Sequence, residues 1–182
     1  MANSVYPIFD KNVLEFITVA LEYCRLVENV ATFKKKEFAE KLTRIFPLLY
    51  LKATLLPVAE TSEVFLEQFV SEEQYERLRT AILTLLEDDD AYLDTQVEDM
   101  KYSETPICCS IAEGVADIYQ DVKNFVEVYR LGVEELMNEA LVEITYNFKS
   151  YWGQVLVNVL RPLHGLCYAE REDEASDNDE QY

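Results

Sequence analysis

The chain contains little glycine, little histidine and no clustered cysteine, and each shortage excludes a class of site. Its 182 residues include four glycines, about a third of average usage, and no two lie close enough to build a Gly-rich phosphate-binding loop. The single histidine, His164, provides neither a catalytic triad nor a Glu-x-x-His metal motif. The four cysteines have no metal-ligand spacing, which is typical of small buried residues in a reducing compartment. We therefore expect no metal and no cofactor.

Long hydrophobic runs are also missing. No window approaches the roughly 20 apolar residues of a membrane span, and Glu15, Glu22 and Arg25 interrupt the first apolar stretch. Residues 1–8 have neither the basic region nor the uninterrupted apolar region of a signal peptide. We expect a cytoplasmic protein that does not contact a membrane.

Positive charge is scarce and unevenly placed. The formal net charge is −19, with eight basic and six acidic residues in 1–56 and eight basic against twenty-nine acidic residues in 57–182. A surface of this sign repels nucleic acid and anionic lipid. We therefore expect no nucleic-acid binding, and the short basic run at residues 34–36 is more simply the polar start of a helix.

Apolar residues recur at spacings of three and four through most of the chain, which predicts helices. The predicted helices span residues 11–29, 33–56, 71–87, 106–131 and 133–161. Asp10, Thr32 and Ser71 are the expected N-caps, the last within a capping box, and Gly132 is expected just beyond the fourth helix. The pattern predicts an all-α fold, an irregular antiparallel bundle of about five main helices that residues 1–168 form as a single domain.

Prolines and acidic residues mark the predicted interruptions. Pro47 predicts a kink or break in the second helix, Pro106 is suited to the first position of the fourth, and Pro162 is expected to kink or end the fifth. Residues 57–70 are predicted as a loop with a short helix. Residues 169–182 are rich in Glu and Asp and poor in apolar residues, which predicts a disordered acidic tail.

Acidic residues repeat at helical spacing on the fourth and fifth helices. Glu113, Asp117 and Asp121 follow one another every four residues, and the helical phase places the first two opposite the apolar stripe. Glu139 and Glu143 repeat the spacing on the fifth helix. A Mg²⁺ site would need carboxylates that point inward between helices, so both sets are interpreted as solvent-facing.

A polar and aromatic cluster occupies one end of the most apolar helix. It comprises Tyr151, Trp152, Asn158, Arg161 and His164. Asn158 is expected on the core side of the apolar run 155–160, and a buried amide needs partners. It marks either a polar pocket between helices or a satisfied structural hydrogen bond. His164 is either a base or ligand, or a residue packed near a helix C-terminus.

Three short segments carry a family resemblance. They are residues 16–24 (Phe-Ile-Thr-Val-Ala-Leu-Glu-Tyr-Cys), 151–153 (Tyr-Trp-Gly) and 160–164 (Leu-Arg-Pro-Leu-His). With these segments the chain resembles a family of uncharacterised bacterial all-helical proteins, a domain of unknown function. The resemblance covers nearly the whole chain except the tail and implies a helical domain. It implies no activity, so no catalytic residue is carried over.

The charge and the missing chemistry favour a non-enzymatic function. We predict an acidic interaction module that binds an unidentified protein through a basic or apolar contact surface, since one-sign fields steer encounter and exclude wrong partners. The same charge is equally consistent with plain solubility. The alternative is a small-molecule or enzymatic site in the bundle core near Trp152, Arg161 and His164. Association of the chain with itself through residues 155–160 is a third hypothesis, because a helix that is apolar on most sides is often shared between subunits.

Overall fold

Helices form most of the computed structural model, which describes residues 6–94 and 107–168. The elements are α1 (Lys11–Glu28), α2 (Lys35–Thr54), α3 (Glu72–Leu86), β1 (Ala91–Asp94), β2 (Ile107–Ser110), α4 (Ile111–Arg130), α5 (Glu134–Asn147) and α6 (Gly153–Tyr168). A π-helical turn, Phe148–Trp152, joins α5 to α6 without a break, so the two act as one long fifth helix. The all-α prediction is confirmed. In the described ranges, no helix is long and apolar enough to cross a membrane.

The predicted helix starts at Asp10 and Ser71 are confirmed. The Asp10 carboxylate accepts the backbone N–H of Asn12 at 2.8 Å, and the Ser71 hydroxyl accepts that of Gln74 at 3.2 Å. The Gln74 side chain does not return to close the capping box, because its amide donates instead to the Tyr119 hydroxyl at 3.0 Å. At the other end of a helix, Gly132 follows α4 with a φ of 70°, a conformation that favours glycine.

The prolines interrupt the helices less than expected. Neither Pro47 nor Pro162 ends its helix: α2 runs unbroken to Thr54, and α6 continues to Tyr168. Pro47 is exposed, so water can replace the N–H that the Thr43 carbonyl loses. Thr32 is not the N-cap of α2; Lys34 takes that position and forms no side-chain cap.

A two-stranded hairpin replaces the predicted start of the fourth helix. β1 and β2 pair antiparallel, with Ala91 opposite Ser110, so α4 begins at Ile111 rather than near Pro106, which lies outside the described residues. Ser110 caps α4 by accepting the N–H of Glu113 at 3.1 Å. The buried Asp90 carboxylate, at the base of the hairpin, accepts a further helix N–H from Ala112 at 2.7 Å.

The core is aromatic and centres on α4. Trp152 and Phe16 are completely buried, and their rings lie 6.5 Å apart, while Phe125 of α4 meets Phe16 edge to face at 5.4 Å. Gly114 permits α4 to approach α6 closely, since a Cβ atom there would lie 2.5 Å from a methyl carbon of Val159. Every helix contributes residues to this buried core, whereas Leu21 of α1 and Leu48 of α2 face solvent.

Candidate functional site

The five residues of the predicted cluster lie in different surroundings. The Trp152 indole is buried, and its N–H donates to the Ile144 carbonyl at 3.3 Å. Tyr151 is half-exposed, and its hydroxyl donates to the Asp117 carboxylate at 2.6 Å. Of these two neighbouring aromatic residues in the π-turn, Trp152 therefore lies in the core and Tyr151 lies at the surface.

The remaining three residues of the cluster lie at or near the surface of α6. Asn158 is half-buried rather than fully buried, and its side-chain oxygen accepts from the Gln154 amide at 2.8 Å. Arg161 and His164 are exposed, and the His164 ring packs 4.7 Å from that of Tyr168. None of the five lines either of the two concavities described below. A ligand site at this end of the bundle stays a prediction.

Two buried amides that sequence reasoning missed lie elsewhere, on α4 and α5. Asn124 accepts the backbone N–H groups of Phe69 at 2.8 Å and Val70 at 2.9 Å, and its amide donates to the Gln68 side chain. Asn138, with no exposed surface, donates to the Glu60 carbonyl at 2.7 Å. Helical phase gave no signal for them, because their partners belong to an irregular segment.

That segment is residues 55–71, the connection between α2 and α3, which we call the strap. It contains no helix, contrary to the prediction for 57–70. Besides the two asparagines, the Glu139 carboxylate binds the strap. It accepts hydrogen bonds from the Thr61 hydroxyl at 2.9 Å and from the Ser62 N–H at 2.6 Å. Glu139 is therefore an anchor of the strap and not simply a solvated acid.

The carboxylates of α4 are also more engaged than their spacing suggested. Asp117 accepts two tyrosine hydroxyls at 2.6 Å, one from Tyr75 of α3 and one from Tyr151 of the π-turn. Burial, followed by the bond to this carboxylate, holds the pKa of both tyrosines above the ordinary range. Asp117 thus ties three elements together, and the interpretation of it as a solvent-facing acid is corrected.

Asp121, one turn further along α4, borders a small polar cavity. The cavity has a volume of about 10 Å³, room for about one water molecule. Burial raises the pKa of Asp121 to about 6, with repulsion from Glu143 and Asp117 adding to the rise and the hydrogen bond from Asn147 opposing it. Glu67 of the strap lines the same cavity. A carboxyl group with this pKa changes charge just below neutral pH.

The larger of the two concavities is a groove between α1 and α2, with a volume of about 620 Å³. Val19 and Leu26 of α1, Ile45 and Leu48 of α2, and Phe33 between the two helices line it. The lining is predominantly apolar: Leu26 belongs to the buried core, Val19 and Ile45 pack against that core, and Leu48 is exposed. We call this feature the α1–α2 groove.

Leucines extend the apolar surface beyond the α1–α2 groove. Leu48 and Leu51 of α2 and Leu55, directly after its end, recur at i, i+3 and i+7, and their exposed fractions are 50%, 51% and 44%. Residues at this spacing share one face of a helix. The result is an apolar ridge about two turns long beside the groove, an arrangement typical of interaction surfaces.

Basic residues outnumber acidic ones in the lining of the groove, although the chain is strongly acidic. Arg25, Lys41 and Arg44 line it together with one acid, Glu22, and the Lys41 ammonium lies 5.2 Å from the centre of the Phe33 ring. Each cation has an acidic neighbour on its own helix, at 3.1 to 3.6 Å. Exposed pairs of this kind contribute little, so an incoming carboxylate can replace the neighbour.

Comparison with known proteins places the chain among uncharacterised relatives. The sequence model of a family described as "Domain of unknown function (DUF5063)" matches residues 7–169. The crystal structure of protein BF1032 from Bacteroides fragilis is similar, with 42% sequence identity and a TM-score of 0.82, over 91% of this chain and 98% of that one. No curated protein matches the chain.

Proposed function

The chain belongs to the DUF5063 family, a domain of unknown function, and from its α1–α2 groove we propose that the protein is a non-enzymatic interaction module. The groove binds a segment of a partner protein that presents apolar side chains flanked by acidic ones. The single observation that carries the proposal is an apolar groove lined by three basic residues and one acidic residue on a chain whose net charge is −19.

Exposed leucine side chains provide the apolar part of the proposed binding surface. Leu48, Leu51 and Leu55 leave about half of their area in water, and full burial of a leucine side chain contributes about 1.5 to 3 kcal/mol. Covering the remaining half of each contributes about 1 kcal/mol by the same measure. Three adjacent leucines beside a groove therefore provide a contact whose contribution exceeds that of scattered surface residues.

The basic residues of the groove favour partner segments with acidic flanks. Arg25, Lys41 and Arg44 attract acidic flanks, whereas the excess of acidic residues in 57–182 repels them. Charge arranged in this way steers encounter and fixes orientation more than it sets affinity. We expected a basic or apolar contact surface on the partner, and the groove favours the apolar one. A basic partner for the acidic faces stays a prediction.

Selection of peptides from a random display library against the full chain tests this proposal. We expect enriched peptides to place a large apolar residue between acidic ones. Leu48→Glu puts a charge on the wall of the groove and is expected to weaken their binding at least about tenfold, as for a central interface residue. Fluorescence anisotropy of the labelled peptides gives the Kd.

The matched control is Leu83→Glu, which makes the same change at an exposed leucine of α3. It is expected to leave peptide binding unchanged. Rising salt is expected to weaken binding to the parent chain, because it screens the cations of the groove. No enrichment, or enriched peptides that bind the Leu48→Glu variant as tightly as the parent, would contradict the proposal.

A further inference from the structure

We infer that the partner is a second copy of this chain, whose strap inserts Phe65 into the α1–α2 groove. The inference rests on the proposed function, because it names an occupant for the same groove. Phe65 is 87% exposed in the isolated chain, and Leu48 at the groove is 50% exposed.

Exposed and half-buried residues alternate along the strap around Phe65. Glu63, Phe65 and Glu67 are exposed, whereas Val64 and Leu66 between them are half-buried. The outward face therefore presents one aromatic ring, 87% exposed, between two carboxylates.

The strap is held in position on both sides of this segment. On the N-terminal side, Glu139 and Asn138 bind Thr61, Ser62 and the Glu60 carbonyl. On the C-terminal side, Asn124 binds the N–H groups of residues 69 and 70. The segment that carries Phe65 is therefore already ordered before binding. It loses less conformational entropy on binding than a flexible segment would, and this favours tighter binding.

The backbone conformation at Glu63 also helps to fix the position of Phe65. Its φ is 54°, a left-handed conformation that costs a non-glycine residue free energy. The N–H of Glu63 donates to the Thr61 hydroxyl at 3.0 Å, and that hydroxyl in turn donates to Glu139. Anchoring on α5 thus maintains the bend from which Phe65 projects.

The groove matches this face in both polarity and charge. An aromatic ring between two carboxylates requires an apolar cleft with cations beside it. Ile45 and Leu48 provide apolar lining of the groove. The cations are those of Arg25, Lys41 and Arg44. Acidic residues outnumber basic ones twenty-nine to eight in residues 57–182, so like charge opposes binding of the two glutamates there. Charge complementarity therefore favours this occupant.

The contact joins two different surfaces of the chain, because the groove and the strap share no residue. The groove lies on α1 and α2, whereas the strap is anchored on α4 and α5. Two copies satisfy each other by a reciprocal exchange, and more copies do so as a ring or a chain. Either arrangement needs an intact groove and an intact strap in the assembly.

Sedimentation velocity of the full chain between micromolar and millimolar concentration tests the inference. We expect concentration-dependent association of the parent chain. Phe65→Ala is expected to weaken it by about ten- to a hundredfold, as for a central aromatic anchor. Val58→Ala truncates an equally exposed residue of the strap, 88% exposed, and is expected to leave association unchanged.

Mixing two variants identifies the contact itself. Phe65→Ala retains an intact groove, and Leu48→Glu retains an intact strap, so each is expected to be monomeric alone. Their equimolar mixture is expected to form a one-to-one complex through the remaining good contact. A parent chain that stays monomeric, a Phe65→Ala variant that associates like the parent, or a mixture that does not combine would overturn the inference.

The outcome separates this inference from the proposed function. If peptides from the library bind the groove while the parent chain stays monomeric at millimolar concentration, the groove has another partner and only self-association fails. If no peptide binds and the chain associates in a way that Leu48→Glu does not change, both proposals fail. Association would then belong to another surface, such as the apolar run at residues 155–160.

Discussion

At the scale of single residues, Asp121 links the stability of the fold to pH. Its carboxyl has a pKa of about 6 in the folded chain and ionises near 4 when unfolded. Between these values the folded chain binds a proton that the unfolded chain does not. The free energy of unfolding that this proton contributes is present at low pH and is lost as the pH rises through about 6.

Asp121→Asn is therefore expected to raise the free energy of unfolding by about 1 kcal/mol at pH 7 and to change it little at pH 4. The new amide oxygen can still accept from Asn147, so the geometry of the cavity is kept. Urea unfolding at both pH values measures the difference. Glu113→Gln, which neutralises an exposed acid on the same helix, is the control, and an equal response of both variants would contradict the prediction.

Residue roles were the hardest part to predict from the sequence. Asp117 and Glu139 occupy phases that indicate solvent, yet each binds groups brought by a different element. Asn158 occupies a phase that indicates the core, yet it pairs with Gln154 on the surface of its own helix. Helical phase describes one helix at a time, whereas the role of a polar residue depends on which neighbour is close enough to bind it.

At the scale of elements, glycines at two helix positions are expected to respond in opposite ways to alanine. Gly114→Ala would place a Cβ atom 2.5 Å from Val159 and 3.1 Å from Val155, and we expect the strain to outweigh the gain in helix propensity, with a net loss of about 1 to 2 kcal/mol. At Gly165 nothing lies within 4 Å of the new atom.

Gly165→Ala is thus expected to stabilise the chain by about 0.5 to 1 kcal/mol, because α6 gains propensity at no steric cost. Thermal unfolding of both variants, followed by circular dichroism, measures the two signs. If Gly114→Ala is as stable as Gly165→Ala, the close packing of α4 against α6 is not as described.

Elements were predictable where their signal is local. The periodicity of Phe16, Ala20 and Val27 defined α1, and Ser71 marked the start of α3, because caps and stripes lie within a few residues of the helix that they define. The hairpin was missed because residues 91–94 pair with residues 107–110, and no local pattern reports such a pairing. The groove was missed for a related reason, since it exists only when two outer faces lie side by side.

At the scale of the whole molecule, net charge is expected to oppose folding. The chain carries a formal charge of −19, and self-repulsion of this size destabilises a compact state. We expect the midpoint of thermal unfolding to rise between about 20 mM and 500 mM NaCl, as salt shortens the range of the repulsion. Differential scanning calorimetry measures the shift.

Truncation after Tyr168 removes seven acidic residues and one arginine, and the rise with salt is expected to become smaller. The matched control keeps the length of the chain and replaces the same seven acids with Asn and Gln, which is expected to reproduce the truncated variant. A control that behaves like the parent chain would show that the tail acts through its length and not through its charge.

The π-turn gives the number of residues in the last helix a structural meaning of its own. In α-helix each residue advances the side chains by 100°, and the wide turn Phe148–Trp152 absorbs a residue while Trp152 and Leu156 both stay in the core. Deletion of one residue within the turn is therefore expected to restore regular helix and to leave Leu156 and Val159 facing α4, whereas the same deletion inside α6 would rotate the residues after it by about 100°. The π-turn is thus the place in the last helix where the chain can change its length by one residue without turning the core face.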